Sequence, residues 1–169
     1  MATERTRLSS STLDLLASIT RLGHAFAPLL PLYLPALLRL LCRTNKLYIA
    51  RASSTLQSII AHTHLPDILK FVVAEWKNES GKSTSFRQGA VEAVLAMLGG
   101  DGGTGEGLTG GRDGVERRID DLEWVIKTAA TDREPKVRAT AKSMWEVYKN
   151  VWPERVYARS EERRVGKEC

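Results

Sequence analysis

The chain has 169 residues, of which 43% are hydrophobic and 27% charged, a balance that is ordinary for one globular domain and excludes disorder over its whole length. Its two cysteines, Cys42 and Cys169, are too few for a disulfide-stapled secreted scaffold and favour a cytosolic or nuclear compartment. The net charge of +5 suits an acidic partner but is too small to indicate nucleic acid on its own.

Apolar residues recur at helical spacing along most of the chain, and this pattern predicts seven helices. We expect them at residues 11–23, 28–43, 46–63, 66–76, 85–98, 115–131 and 135–151. Gly23 is expected to end the first helix. The second helix is apolar nearly all round, so we expect it at the centre of the core. No stretch alternates between apolar and polar residues over the length of a strand, so the predicted fold class is all-α.

The uncharged run over residues 22–38 approaches the length of a membrane-spanning helix. Three prolines, Pro28, Pro31 and Pro35, interrupt it, and Arg39 closes it. We therefore predict a buried helix of a soluble fold, with no membrane as partner. The N-terminus lacks the apolar core of a signal peptide.

Three helices begin with a similar pattern, in which a large apolar residue is followed four positions later by a small one. The large residues are Ile49, Phe86 and Val137, which lie 37 and 51 positions apart. The second gap contains a glycine-rich stretch at residues 99–114, so the underlying period is about 37 to 40 residues. This period indicates a HEAT-type α-solenoid of about three helix pairs plus one preceding helix. In each pair an A helix is joined to a B helix by an intra-repeat loop.

Two segments are predicted to lie outside the helical stack. Residues 99–114 hold nine of the 13 glycines and are predicted to form a flexible linker within the domain. Residues 159–169 have no hydrophobic period and resemble the translation of a sequencing-adapter oligonucleotide. We predict a non-native tail there and a domain over residues 1–158 that is a fragment of a longer product. The alternative is a genuine charged C-terminal tail.

Several motifs resemble chemical sites but lack the surroundings that the chemistry needs. Residues 105–110 match G-x-G-x-x-G without a preceding strand, and residues 81–83 imitate the end of a phosphate loop without its first glycine. His62 and His64 are interpreted as helix-end residues, because no further metal ligands are near them in sequence. Cys42 is interpreted as a buried structural thiol. The sequence therefore predicts no enzyme, no cofactor and no metal site.

Packing in a solenoid brings all intra-repeat loops to one edge of the stack. The predicted loops cover residues 44–46, 77–85 and 131–136, and each carries positive charge. One interpretation is a basic ridge that binds an acidic surface, and the alternative is ordinary solvated loops. The cations of these loops are Lys46, Lys77, Lys82, Arg133 and Lys136, with Arg87 and Arg138 adjoining them. A further interpretation gives Arg87 and Arg138 a structural role as well, in which each bonds the preceding loop or a neighbouring repeat, and Asp132 is a natural partner of Arg138.

Two parts of the sequence resemble the TOG-type domain of the CLASP family, the cytoplasmic linker-associated proteins. The first is residues 26–72, in which the segment NKLYIARA at residues 45–52 is the most specific part. The second is DREPKVR at residues 132–138, followed by AKSMWEVY at 141–148 and the closing phrase Trp-Pro-Glu-Arg at 152–155. The resemblance covers residues 11–158.

This resemblance implies a function in the microtubule cytoskeleton. TOG domains are paddles of about six repeats whose intra-repeat loops grip the αβ-tubulin dimer, and CLASP proteins stabilise microtubules and act at the spindle. By this analogy, the candidate tubulin-binding residues are Asn45, Lys46, Lys77, Lys82, Arg133 and Lys136. The implied partner is αβ-tubulin or the microtubule, not nucleic acid, and the implied location is the cytoplasm. The chain departs from the family in having only about three repeats, without the early ones. The alternative is a HEAT scaffold that binds an unrelated protein through its B helices.

Overall fold

The computed structural model describes residues 4–99 and 107–156. Within them the chain forms eight α-helices, which confirms the predicted all-α class: α1 Glu4–Ile19, α2 Leu30–Leu40, α3 Lys46–Thr63, α4 Ile68–Lys77, α5 Thr84–Met97, α6 Gly111–Glu116, α7 Ile119–Ala130 and α8 Pro135–Val151. Two 3₁₀ segments, Thr20–Leu29 and Glu79–Lys82, connect helices. The predicted tail at residues 159–169 lies outside the described residues and stays a prediction.

The helices form the two layers of a HEAT-like solenoid. In the A layer α2 packs against α4, and α4 packs against α7. In the B layer α1, α3, α5 and α8 follow one another in the same way. The sequential pairs α2–α3, α4–α5 and α7–α8 also contact each other, so three helix pairs are present. The preceding helix α1 packs against α3 and therefore belongs to the B layer.

Small residues near the start of each B helix allow the close contact between layers. Ala90 in α5 and Ala141 in α8 are buried, as their positions four residues after Phe86 and Val137 predict. In α3 the buried small residue is Ala52, not the Ser53 that the pattern indicated. A larger side chain at these buried positions would overfill the layer.

The N-terminal helices differ from their predicted course. The α-helical part of the first segment ends at Ile19, and a 3₁₀ segment continues to Leu29. Gly23 lies inside this segment with φ 59° and ψ −129°, so it makes a kink and does not end a helix. A glycine suits this position because other residues rarely adopt positive φ. The predicted helix at residues 115–131 is likewise divided, with α6 ending at Glu116 before α7 begins.

The helix predicted at the centre of the core lies at the end of the stack, so that prediction is wrong. Leu30, Leu34 and Leu38 on α2 are buried, but Leu32 on the opposite side is 66% exposed. The reason is that α2 is the first helix of the A layer, and no described helix precedes it there. Leu15 on α1 is exposed for the same reason at the start of the B layer.

The helical path Leu8–Leu40 is long and apolar enough to cross a membrane when judged by length and composition alone. Two observations show how this path packs. The path bends at Gly23, and Phe26, Leu30 and Leu34 within it are buried by the rest of the stack. The run therefore packs against the stack on one side, and 22% of its most apolar 18-residue stretch is buried.

The described part of the glycine-rich linker, residues 107–114, packs against the stack, which differs from the prediction of a flexible segment over residues 99–114. Residues 100–106 lie outside the described residues, including part of the G-x-G-x-x-G match. Beyond them, Thr109 is buried and its backbone N–H donates to the Met97 carbonyl at 2.8 Å. Gly110, with φ 76°, packs so closely that an added Cβ would lie 2.9 Å from the His64 carbonyl oxygen. Glycine here permits close packing against the α3–α4 connection.

A buried polar cluster joins the last two helices to the closing phrase. Glu123 on α7 is 8% exposed and accepts hydrogen bonds from the Tyr148 hydroxyl and, at 3.1 Å, from Arg155 Nε. Burial lowers the pKa of Arg155, but the carboxylates of Glu123 and Asp120 with Tyr148 outweigh it, so the net shift of this pKa is upward. Trp152, with its ring centroid 5.5 Å from that of Tyr148, is fully buried beside the cluster.

Glu123→Ala should lower the free energy of unfolding by about 3 kcal/mol, because it leaves a buried hydroxyl without this acceptor and Arg155 without its carboxylate. Tyr148→Phe should cost only about 1 kcal/mol, since it removes one donor. Urea unfolding followed by circular dichroism measures both. Asp120→Ala is the control, because Asp120 is 93% exposed and should change stability by less than about 0.5 kcal/mol. An effect of Glu123→Ala no larger than this control would contradict the assignment.

Candidate functional site

Three intra-repeat loops meet at one edge of the stack. We call the loop edge the set of residues 41–47, 77–84 and 128–136, which contain the connections from α2 to α3, α4 to α5 and α7 to α8 together with the adjoining helix ends. Contacts join neighbouring loops: Cys42 Sγ lies 3.9 Å from the Ser80 carbonyl oxygen, and Arg87 Nε lies 2.6 Å from Asp132 Oδ2. The structure therefore brings together the loops that the repeat pattern placed on one edge.

The first loop ends at a capped helix. Asn45 has an extended backbone, and its side-chain oxygen accepts a hydrogen bond from the Leu47 N–H at 2.9 Å. This is the N-cap geometry that satisfies one of the free N–H groups at a helix start. Lys46 is exposed, and Leu47 beside it is 51% exposed. Asn45 thus has a structural role in addition to its place on the edge.

The second loop is held against the end of α4. The Glu75 carboxylate, only 6% exposed, accepts Ser80 Oγ at 3.0 Å and Arg39 Nη2 at 3.0 Å. Gly81 approaches so closely that a Cβ there would lie 1.9 Å from the Trp76 carbonyl oxygen. These contacts fix the loop backbone just before Lys82.

An arginine at the start of the B helix holds the loop that precedes it. Arg87 Nη1 donates to the carbonyls of Gly81 at 3.0 Å and Lys82 at 2.9 Å. Arg138 Nη1 donates in the same way to the carbonyls of Asp132 at 2.8 Å and Arg133 at 2.9 Å. In both repeats the acceptors are six and five positions earlier in the chain. The interpretation that these two arginines are structural is therefore confirmed.

The predicted partner of Asp132 is wrong. Its carboxylate pairs with Arg87 of the preceding repeat, while Arg138 takes its backbone carbonyl. The other carboxylate oxygen, Oδ1, accepts a hydrogen bond from the Glu134 N–H at 2.8 Å. One carboxylate thus bonds both its own loop and the preceding repeat. Sequence separation favoured Arg138, but the stacking of repeats places Arg87 closer.

The comparison with protein families agrees with this architecture. A family model described as CLASP N terminal matches residues 1–160. The chain belongs to the CLASP N-terminal family. No curated protein matches the sequence significantly. CLASP N-terminal domains are HEAT-like binding domains of CLASP-type microtubule-associated proteins. The family is one of binding domains and not of enzymes.

Five of the six predicted binding residues of this CLASP N-terminal domain are exposed cations: Lys46, Lys77, Lys82, Arg133 and Lys136. They do not all have the same surroundings. Lys77 Nζ lies 5.0 Å from the centroid of the Trp124 ring on α7, a cation–π contact across the A layer. A groove of about 650 Å³ separates the second and third loops. Lys82 and Arg133 line it together with the acidic Glu134 and three threonines, Thr84, Thr128 and Thr131.

Sequence reasoning missed this groove and the exposure of Leu47. A leucine after a helix cap resembles a core residue, and nothing in its spacing separates the two cases. Cys42 was predicted to be buried but is only half-buried, because the second loop covers it incompletely. In the CLASP N-terminal domain the loop edge carries exposed cations, the threonine hydroxyls of the groove and one exposed apolar side chain, Leu47. Surfaces that bind other proteins commonly combine charged, polar and apolar groups in this way.

The histidines of the CLASP N-terminal domain take the helix-end roles that were predicted for them. His62 Nδ1 lies 2.8 Å from the Ser58 carbonyl oxygen, and His64 follows α3 with a left-handed backbone at φ 51°. Within residues 4–99 and 107–156, no three His, Cys, Asp or Glu side chains are grouped to hold a metal ion. A second cleft of about 490 Å³, lined by His24, His64, Arg117 and Arg118 among others, lies away from the loop edge.

Proposed function

We propose that this CLASP N-terminal domain binds αβ-tubulin through the loop edge. The observation that carries the proposal is the combination of anchored loop backbones with exposed cations at their tips. Glu75, Arg87 and Arg138 hold the loops, and Lys82 and Arg133 lie at the tips. In the cell the domain would then act in the cytoplasm, on microtubules and the spindle, to stabilise microtubules.

Physical arguments support an acidic protein partner. Tubulin is strongly acidic, so exposed cations on one edge would accelerate association and orient the partner. Loops that are already ordered lose less conformational entropy on binding. Leu47, 51% exposed beside Lys46, would add an apolar contact to the charged ones.

The test is a quadruple variant, Lys46→Ala, Lys82→Ala, Arg133→Ala and Lys136→Ala, in the full chain. We expect its affinity for purified αβ-tubulin to fall about 30-fold, because four partly screened charge contacts of about 0.5 kcal/mol each are lost. Helicity should be unchanged, since all four side chains are exposed. Wild-type binding should weaken as salt is raised.

The control removes the same amount of charge elsewhere: Arg21→Ala, Lys70→Ala, Arg117→Ala and Lys142→Ala, which are also exposed. This variant should bind tubulin with nearly wild-type affinity. Equal losses in both variants would show a non-specific charge effect. Folded wild-type protein that does not bind tubulin at low salt would reject the proposal for this chain.

A HEAT scaffold that binds an unrelated protein through its B helices is the second candidate. The observation in its favour is Trp145 on α8, which is 38% exposed and stacked on Tyr148 with ring centroids 5.4 Å apart. Exposed tryptophans are frequent binding hot spots. Trp145→Ala should leave tubulin affinity unchanged if the loop edge is the binding site, and a large loss would favour the B-helix surface.

A further inference from the structure

One guanidinium group contacts two successive intra-repeat loops. Arg87 holds the second loop through the carbonyls of Gly81 and Lys82, and it holds the third loop through the Asp132 carboxylate. The ion pair is well shielded, with side-chain exposures of 14% for Arg87 and 6% for Asp132. Charge-assisted hydrogen bonds of this kind are stronger than neutral ones, and burial limits their screening by salt.

We propose that Arg87 is a positioning residue that couples the second and third loops into one rigid binding unit. In this unit Lys82 and Arg133, which line the groove from opposite loops, keep a fixed separation. A partner with an acidic surface then meets two cations that are already spaced for it. The effect on binding rests on the proposed function, but the fixed separation does not.

The other repeats show what is particular to Arg87. Arg138 makes the same two carbonyl bonds to its own loop, but in the described part of the chain it pairs with no carboxylate. In the first repeat the corresponding position is Ala50, and the neighbouring Arg51 pairs instead with Asp14 on α1 at 3.3 Å. Of these three positions in the described chain, Arg87 alone contacts both its own loop and the loop of the next repeat.

Coupled loops also change how Lys82 and Arg133 contribute to binding. If the loops move as one unit, the contributions of Lys82 and Arg133 to tubulin affinity depend on each other. If the loops moved separately, each cation would contribute independently. In an Arg87→Ala background, the effects of removing Lys82 and Arg133 on tubulin affinity should therefore become additive.

The direct test measures the distance between the two loops without any partner. Spin labels are attached at Lys82→Cys and Arg133→Cys in the full chain, with Cys42→Ser and Cys169→Ser to remove the native thiols. Double electron–electron resonance should give one narrow distance distribution. Adding Arg87→Ala should broaden it, and Asp132→Asn should do the same, because Asn keeps the shape and the acceptor for the Glu134 N–H but loses the charge. Arg138→Ala is the matched control and should leave the distribution narrower than Arg87→Ala does.

The outcomes are distinct. An unchanged distance distribution in Arg87→Ala overturns the inference. If Arg87→Ala loses helicity, Asp132→Asn is used in its place, and an unchanged distribution in that variant overturns the inference as well. In the native-cysteine background, Arg87→Ala should weaken tubulin binding about tenfold, through loop ordering that must then accompany binding. The coupling between Lys82→Ala and Arg133→Ala should disappear with it.

A broadened distribution with unchanged tubulin affinity overturns the positioning role. Failure of the wild-type chain to bind tubulin rejects the proposed function alone, because the distance measurement still decides whether Arg87 couples the loops.

Discussion

Replacement of Phe86 by alanine should lower the free energy of unfolding by about 4 kcal/mol. Phe86 is fully buried in the first turn of α5, and its ring meets that of Trp76 edge-on, with centroids 6.0 Å apart. Trp76 meets Trp124 on α7 in the same way at 6.2 Å. The truncation leaves a cavity where α4, α5 and α7 come together, so the cost combines lost burial with lost aromatic contacts.

Urea unfolding followed by circular dichroism measures this change. Phe71→Ala is the matched control, because it removes the same atoms from a half-buried phenylalanine on α4. We expect the control to cost about 2 kcal/mol, since less apolar area is lost. If Phe86→Ala destabilised the protein no more than Phe71→Ala does, the aromatic cluster would not be a centre of stability.

Gly81→Ala is expected to lower the free energy of unfolding by about 2 kcal/mol and to weaken the proposed tubulin binding. The cause is steric: the new Cβ would lie 1.9 Å from the backbone oxygen of Trp76. The φ angle of Gly81 is not positive, so alanine is not excluded by backbone conformation. The loop must therefore move away from α4, which separates Ser80 from Glu75 and the Gly81 carbonyl from Arg87.

Gly89→Ala provides the comparison. Gly89 lies inside α5, and its Cβ would lie 3.1 Å from Leu41 Cδ1, so this buried side chain, unlike the Trp76 backbone, has to move by only a few tenths of an ångström. Alanine is favoured over glycine in a helix by about 1 kcal/mol, so this variant should remain within about 1 kcal/mol of wild type. Denaturation and tubulin titration of the two variants measure the contrast. Equal stability and equal affinity would mean that the second loop tolerates displacement.

Much of the fold could be predicted from local patterns. Helical spacing of apolar residues identified the helices, and the recurring start at Ile49, Phe86 and Val137 identified the B helices and the repeat. The errors fall where a neighbouring element decides the outcome. The α2 helix has apolar residues on all sides, but which side is covered depends on its place at the end of the A layer. Residues 107–114 are rich in glycine, yet part of them packs because the α3–α4 connection fits against Gly110.

The candidate site was predictable only in part. Solenoid packing placed the loops on one edge, and the exposed lysines and arginines followed from their chemistry. The groove and the partner of Asp132 did not follow, because they depend on how far successive repeats shift when they stack. The exposure of Leu47 likewise depends on what lies beside α3, which no local pattern encodes.

The sequence by itself determined the helices, their pairing into repeats, the order of the loops and the family of the chain. These follow from residues close together in the chain, since the faces of a helix and the small residues at its start are local properties. Only the tertiary structure decided that Arg87 contacts Asp132, 45 positions later, and that Glu75 holds Ser80 and Arg39 together. The physical reason is that a charged side chain with several acceptors within reach pairs with the one that packing brings close and shields from water.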